Sequence, residues 1–173
     1  MSGPDVPVAP DAVLRRVESS TRGAGMEVSQ ATIADRAAVV ARTAQFRWQW
    51  IGTRLHTFIF ASIFESAQTT PATLDAYMRA ATDYAIANKG DLPRGLQTGT
   101  ASVIVAVVDV PVPKLTEWAR KPHGRRFAAI AYPSLVTTSL RTVEQPKRMR
   151  FGGVYTPYLR ELLDEHVASA VHM

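Results

Sequence analysis

Two continuous apolar runs, residues 55–64 and 100–110, set the pattern of elements along this chain. Both are rich in β-branched or aromatic residues, and neither has the alternating polar positions of a half-exposed strand. Runs of this length and composition are typical of strands in a parallel sheet that helices cover on both faces. The pattern therefore predicts two buried central strands.

Helical spacing follows each of these runs. Between them, Thr70 and Pro71 suit an N-cap with proline in the first turn, and residues 88–90 offer a stop. Apolar residues recur there every three or four positions, at Leu74, Tyr77, Met78, Ala81, Tyr84 and Ala85. Shorter amphipathic patterns predict helices over 115–119 and 158–170.

Two further stretches complete the predicted order. Residues 125–154 contain an apolar run, a polar corner near 141–145 and a second, alternating run, which indicates two paired strands. Upstream, the spacing of Ile33, Ala37, Val40, Ala41 and Ala44 predicts a helix that begins after Ser29. Residues 46–51 then alternate like a strand or an aromatic packing segment.

These elements predict a single-domain α/β fold with a mixed sheet. We expect residues 26–173 to form this domain, with the order βαβαββα after an N-terminal helical extension. At 173 residues the chain has enough surface to bury for one core. Residues 1–25 carry Pro, Gly, Ser and Arg with little apolar periodicity, which predicts a flexible arm in which a short helix begins near Asp11.

The element order over residues 55–173 resembles the thioredoxin fold. The segment Tyr132-Pro133-Ser134-Leu135 lies where that fold has a cis-proline before its terminal hairpin. Glu65-Ser66-Ala67-Gln68 occupies the place of the redox motif, and the chain has no cysteine. The resemblance therefore implies a fold and no activity.

Composition narrows the class of protein. Hydrophobic residues make up 46% of the chain and charged residues 20%, which is a globular balance that excludes a wholly disordered protein. The absence of cysteine excludes disulfides, thiolate metal sites and cysteine nucleophiles. The apolar runs are far shorter than the ~20 residues that span a bilayer, and the first residues lack a signal-peptide pattern. We expect a cytoplasmic protein that makes no contact with membranes.

The densest aromatic segment predicts a surface for a protein partner. Phe46, Trp48 and Trp50 lie within five residues, and aromatic side chains are enriched in protein interfaces. The alternative is that they pack at an edge of the core. The interface interpretation predicts a homo-oligomer or a complex with another protein.

Basic residues suggest a second class of partner. The net charge is +5, from 20 Lys and Arg against 15 Asp and Glu. Arg94 lies in a glycine-rich connection, residues 90–99, that could wrap a phosphate or carboxylate. Candidate anion or nucleic-acid contacts are Arg94, Lys121, Arg125, Arg126, Lys147, Arg148 and Arg150. The predicted hairpin places Arg125 and Arg126 at one end and Lys147, Arg148 and Arg150 at the other, which indicates two small patches. The alternative is that these residues form a solvated basic surface.

Glu65 and Asp109 are the candidates for enzyme chemistry. Each follows a predicted parallel strand, and carboxylates at that edge of a sheet can hold Mg²⁺. The alternative is that strands simply end in polar residues. His123 lies in a turn with no orienting carboxylate beside it in sequence, and no nucleophile elbow, dinucleotide fingerprint or phosphate loop is present. The sequence therefore assigns no catalytic residue, resident metal or cofactor.

By elimination, we expect a non-catalytic protein that acts through self-association or a partner protein. A nucleic-acid-associated protein that contacts phosphates through basic patches is the second hypothesis. A metal-dependent enzyme that uses Glu65 and Asp109 is the third.

Overall fold

The computed structural model describes residues 8–50, 52, 54–90, 98–123, 129–149 and 153–172. Six strands form one sheet in sequential order: β1 (Glu27–Ile33), β2 (Arg36–Phe46), β3 (Arg54–Ile63), β4 (Thr98–Val108), β5 (Ala129–Thr137) and β6 (Thr142–Glu144). Strands β3, β4 and β5 run parallel, and the other neighbouring pairs are antiparallel. The chain is a single-domain mixed α/β protein, as predicted.

The helices that connect the parallel strands follow the predicted signals. The α2 helix (Pro71–Asn88) begins after Thr70, whose hydroxyl accepts a hydrogen bond from the Thr73 N–H in a capping box. Gly90 lies just beyond its end with φ of +85°, a conformation that favours glycine. The α3 helix (Pro113–Arg120) is short and amphipathic, also as predicted.

The hairpin at the end of the sheet is present, but its second strand is shorter than expected. Of the described residues that follow β5, only 142–144 pair with it, at positions 135–137. Pro133 lies beyond this pairing, so its missing N–H leaves no gap in the ladder to β6. The peptide bond between Tyr132 and Pro133 is trans, unlike the cis-proline that the thioredoxin fold has at this place.

The helix predicted after Ser29 is also wrong, because this stretch forms the β1–β2 hairpin. Ala34 and Asp35 have φ of +47° and +60° and connect Ile33 to its partner Arg36. Two successive residues with positive φ are typical of the tight turns whose twist matches an antiparallel hairpin. The helical spacing rested largely on alanines, whose high helix propensity is overridden here by strand pairing and packing.

The expectation of a flexible arm is wrong for residues 10–23, which form α1 (Pro10–Gly23). Val13 and Val17 are fully buried in the core. Arg16 donates a hydrogen bond to the Ala170 carbonyl at 3.0 Å, which ties α1 to the end of the chain. The buried stripe is one residue wide per turn, so the sequence shows little periodicity.

Helices cover both faces of the sheet. The α2 and α3 helices cover one face, which we call the α2 face. On the other face α1 packs with the C-terminal helix, which comprises α4 (Thr156–Leu163), a π-helical turn (Asp164–Ala168) and α5 (Ser169–His172). Even-numbered core residues of β3 and β4 face α2, and odd-numbered ones face the C-terminal helix. Of the helices in the described ranges, none is long and apolar enough to cross a bilayer.

A buried histidine joins α1 to the π-helical turn. His166 is 2% exposed, and its Nδ1 lies 2.8 Å from Ser20 Oγ. Burial lowers the pKa of His166, while the nearby Glu165 carboxylate acts in the opposite direction. These contacts give His166 a packing role between α1 and the C-terminal helix.

Candidate functional site

The connection between β2 and β3 places its aromatic side chains in two different environments. A short 3₁₀ segment (Trp48–Trp50) follows β2. Phe46 and Trp48 are 49% and 88% exposed, with ring centroids 5.5 Å apart in an edge-to-face arrangement. Trp50 is only 2% exposed and packs on Tyr155 and Tyr158. We call Phe46 and Trp48 the aromatic pair; Trp50, predicted to share that surface, belongs to the core.

Arg47 connects the aromatic pair to the C-terminal helix. Its guanidinium carbon lies 4.8 Å from the centroid of the Tyr158 ring. Its Nη2 lies 3.4 Å from Glu161 Oε2. Each contact is weak at an exposed site, about 0.5–1 kcal/mol for the cation–π contact and less for the ion pair. Together these two contacts hold the segment that carries the aromatic pair close to the C-terminal helix.

A groove of about 890 Å³ lies between the C-terminal helix and the segment that follows β6. Lys147 and Arg148 are exposed on one wall, whereas the helix contributes three carboxylates and Arg160 to the other. We call it the mixed-charge groove; it is lined by Lys147, Arg148, Met149, Gly153, Thr156, Pro157, Arg160, Glu161, Asp164 and Glu165. Because Glu161 both lines the groove and contacts Arg47, the groove adjoins the aromatic pair.

Hydrogen bonds hold the basic wall against the helix. Arg160 Nη2 donates to the carbonyls of Pro146 and Lys147, at 3.4 and 3.0 Å. The Tyr132 hydroxyl donates to Gln145 Oε1 at 3.0 Å. These contacts fix the backbone and leave the ammonium of Lys147 at the surface. The groove is therefore a shaped feature with opposite charges on its two walls.

The sheet has an open edge next to the aromatic pair. The first residue of β1, Glu27, pairs with Arg42, so residues 43–46 of β2 pair with β3 alone. No other strand in the described part of the chain lies along their outer edge. Unpaired strand edges provide hydrogen-bonding groups for another chain.

The predicted basic sites lie in different surroundings. Lys121 is ion-paired with Glu117 at 2.7 Å, and the neighbouring Arg120 makes two hydrogen bonds to Glu144, at 2.8 and 3.0 Å. Three carboxylates line the groove that contains Lys147 and Arg148, which is unfavourable for a run of phosphates. Arg94, Arg125, Arg126 and Arg150 lie outside the described residues, as does Ile51. Nucleic-acid binding stays a prediction.

Glu65 and Asp109 lie at the carboxyl ends of the parallel strands, where Asp109 takes part in a structural hydrogen bond. Ser66 Oγ donates to Asp109 Oδ1, and this bond holds the pKa of Asp109 below its usual range. Glu65 is exposed, and its carbonyl accepts hydrogen bonds from Gln68 and Thr69. Within the described ranges, no group of three or more His, Asp or Glu side chains is arranged to hold a metal ion. A metal-binding role for this pair therefore gains no support from geometry.

His123 has a carboxylate neighbour that sequence proximity does not reveal. Its Nδ1 lies 3.7 Å from Asp75 Oδ1, which also accepts a hydrogen bond from Trp118 Nε1 at 2.8 Å. The other ring nitrogen, Nε2, bonds to the Trp118 carbonyl at 2.9 Å. Only Nε2 of His123 is therefore within hydrogen-bonding distance of one of these protein groups. The arrangement joins α2 to the end of α3.

Comparison with known proteins finds no matching family, no similar curated protein and no similar solved structure.

Proposed function

We propose that the protein acts by self-association, with two copies joined through the aromatic pair and the mixed-charge groove. The observation that carries the proposal is the 88% exposure of Trp48 beside the half-exposed Phe46. Burying one large apolar side chain gains about 1.5–3 kcal/mol, so two such residues contribute strongly to an interface. Aromatic residues are also enriched in interface cores relative to other surfaces.

The charges of the mixed-charge groove favour a second copy of the same chain as the partner. In a two-fold assembly one surface patch meets its own copy, so each wall of the groove can face the opposite wall. Lys147 and Arg148 of one copy then lie near Asp164 and Glu165 of the other. A patch with one sign of charge would repel its copy, whereas a patch with both signs is electrostatically self-complementary.

The proposed role is non-catalytic and cytoplasmic. A chain without cysteine needs no oxidising compartment for its stability, which is compatible with the cytoplasm. The groove has no nucleophile paired with a base among its lining residues. The side chains that line the groove are suited to contact a partner surface and to recognise its charges.

Substituting both members of the aromatic pair, Phe46→Ser and Trp48→Ser, is expected to dissociate the assembly. Sedimentation velocity over a range of micromolar concentrations should show a monomer–dimer equilibrium for the natural sequence and a shift of at least tenfold toward monomer for the variant. One tenfold change corresponds to about 1.4 kcal/mol, less than the burial free energy of one large side chain.

Leu140→Ser is the matched control for that experiment, because Leu140 is 56% exposed and lies in the β5–β6 turn. This control should associate as the natural sequence does. A natural sequence that remains strictly monomeric at every concentration would rule out self-association. Equal dissociation of the control and the double variant would rule out the aromatic pair as its site.

A further inference from the structure

Three buried polar atoms without partners lie on the α2 face, near the start of the parallel strands. His56 of β3 is 4% exposed, and neither of its ring nitrogens has a hydrogen-bond partner among the described residues. The hydroxyl of Ser102 in β4 is fully buried and also lacks one there. His56 pairs with Thr100, so Ser102 is its diagonal neighbour on the same face. Such neighbours have Cα atoms roughly 7–8 Å apart, which a small ligand can bridge.

Buried polar atoms without a partner among the described residues also occur on the other face, at Trp50, Thr57 and Tyr158, but His56 and Ser102 are the pair that lies together on the α2 face. Buried polar atoms in native proteins nearly always have partners, and an orphaned one calls for a physical explanation. Farther along the same face Ser62 bonds to Tyr77, and on the opposite face Ser134, the partner of Val105, donates to the Ile104 carbonyl at 2.8 Å. Small side chains occupy the core on the α2 face, at Ala81, Ala85 and Ala131. A small polar group between His56 and Ser102 would satisfy both.

The charges around the patch are positive. Burial is the main cause that lowers the pKa of His56, and the positive charges of three nearby residues, Arg42, Arg54 and Lys89, lower it further. Arg42 is held in place, because its Nη2 donates to the Lys89 carbonyl at 2.7 Å and its guanidinium lies over the Phe58 ring. Glu27 of β1, 3.8 Å from Arg42, offsets one of these charges. The remaining surplus of cations favours an anion.

We propose that His56 and Ser102 bind the oxygen atoms of a small oxyanion, at the edge of the sheet where β3 and β4 begin. The Ser102 hydroxyl and one imidazole N–H donate to the anion, while Arg42, Arg54 and Lys89 supply positive potential from the rim. Exposed Arg54 is the first residue of β3 and lies two residues from His56, so the patch is close to the end of the sheet where β3 begins. The site is on the opposite face from the residues that pack under the C-terminal helix, and it does not depend on self-association.

Sulfate and acetate are suitable probes, one tetrahedral and divalent, the other planar and monovalent. The full-length protein is titrated with each while the His56 imidazole is followed by two-dimensional ¹H–¹⁵N NMR, with sodium chloride at matched ionic strength as the reference. A saturable change in the His56 signals with either probe supports the site and identifies the shape of its ligand. If neither probe moves these signals beyond the chloride reference, the proposal is wrong.

Two serine variants separate binding from structure. Ser102→Ala removes a hydroxyl without a partner, so the variant should fold with undiminished stability and bind the active probe at least tenfold more weakly, as expected for a lost hydrogen bond to a charged group. The control is Ser134→Ala, because Ser134 is equally buried but has a backbone partner. It should lose stability and bind the probe normally. Unchanged binding by Ser102→Ala, or equal weakening in both variants, would overturn the assignment.

Discussion

Replacing Val13 and Val17 together with alanine is expected to lower the free energy of unfolding by about 3–5 kcal/mol. Each substitution removes two buried carbon atoms at about 0.8 kcal/mol each, and the cavities left behind add to the loss. Alanine has the higher helix propensity, so the effect cannot come from a weaker helix. A loss of this size is a large part of the 5–15 kcal/mol that stabilises a typical domain.

The measurement is equilibrium unfolding in urea with circular dichroism detection. The control is the double variant Asp11→Ala and Arg15→Ala in the same helix, whose exposed ion pair of 3.7 Å should contribute less than about 0.5 kcal/mol. If the valine variant unfolds at the same urea concentration as the control, α1 does not stabilise the domain and residues 10–23 behave as the arm that the sequence predicted.

Replacing Trp50 with alanine is expected to cost about 3–5 kcal/mol of stability, whereas replacing Trp48 should cost less than about 0.5 kcal/mol. The two residues are two positions apart but 2% and 88% exposed. Trp50 supports the packing of the C-terminal helix through Tyr155 and Tyr158, each 5.2 Å from its ring centroid. Under the proposed self-association, Trp48 is expected to contribute to binding and little to folding.

Thermal and urea unfolding of both variants, measured at a concentration where the protein is monomeric, separates the two roles. Trp50→Phe is the informative third variant, because it keeps an aromatic ring and removes an indole N–H that has no partner among the described residues. It should retain most of the stability that Trp50→Ala loses. Similar losses of stability for Trp48→Ala and Trp50→Ala would contradict the assignment of Trp50 to the core and Trp48 to the surface.

The central elements could be predicted because their sequence signals are local and redundant. The parallel strands β3 and β4 are long runs with no alternation, which few other structures allow. The α2 helix has a cap, an early proline, an apolar period and a glycine stop, all of which agree. Several independent signals therefore point to the same boundaries.

The N-terminal elements were mispredicted because alanine and narrow stripes carry little information. In β1 and β2 the alanines matched a helical period by spacing alone, and the turn at Ala34 and Asp35 lacks the glycine that usually marks such hairpins. In α1 the buried stripe is only Val13, Val17 and Thr21. Its burial depends on contacts with the far end of the chain, which no local window contains.

The sequence predicted the segments of the candidate site but not how they are arranged. The aromatic segment and the basic residues Lys147 and Arg148 were identified by composition, but a 3₁₀ turn decides which tryptophan is exposed. The position of the last helix opposite the basic segment depends on tertiary packing, which the amphipathic pattern over 158–170 does not reveal. His56 and Ser102 were hidden within strand runs, where one polar residue has no visible consequence.

The most direct test of the proposed self-association uses two charge-reversed variants of the mixed-charge groove. One carries Lys147→Glu and Arg148→Glu, and the other carries Asp164→Lys and Glu165→Lys. Each variant alone should sediment as a monomer, since like charges then face each other across the two-fold interface. An equimolar mixture should form a heterodimer, because the two reversed walls attract each other. A mixture that stays as monomeric as its separate components, at concentrations where the natural sequence dimerises, would contradict the proposed interface.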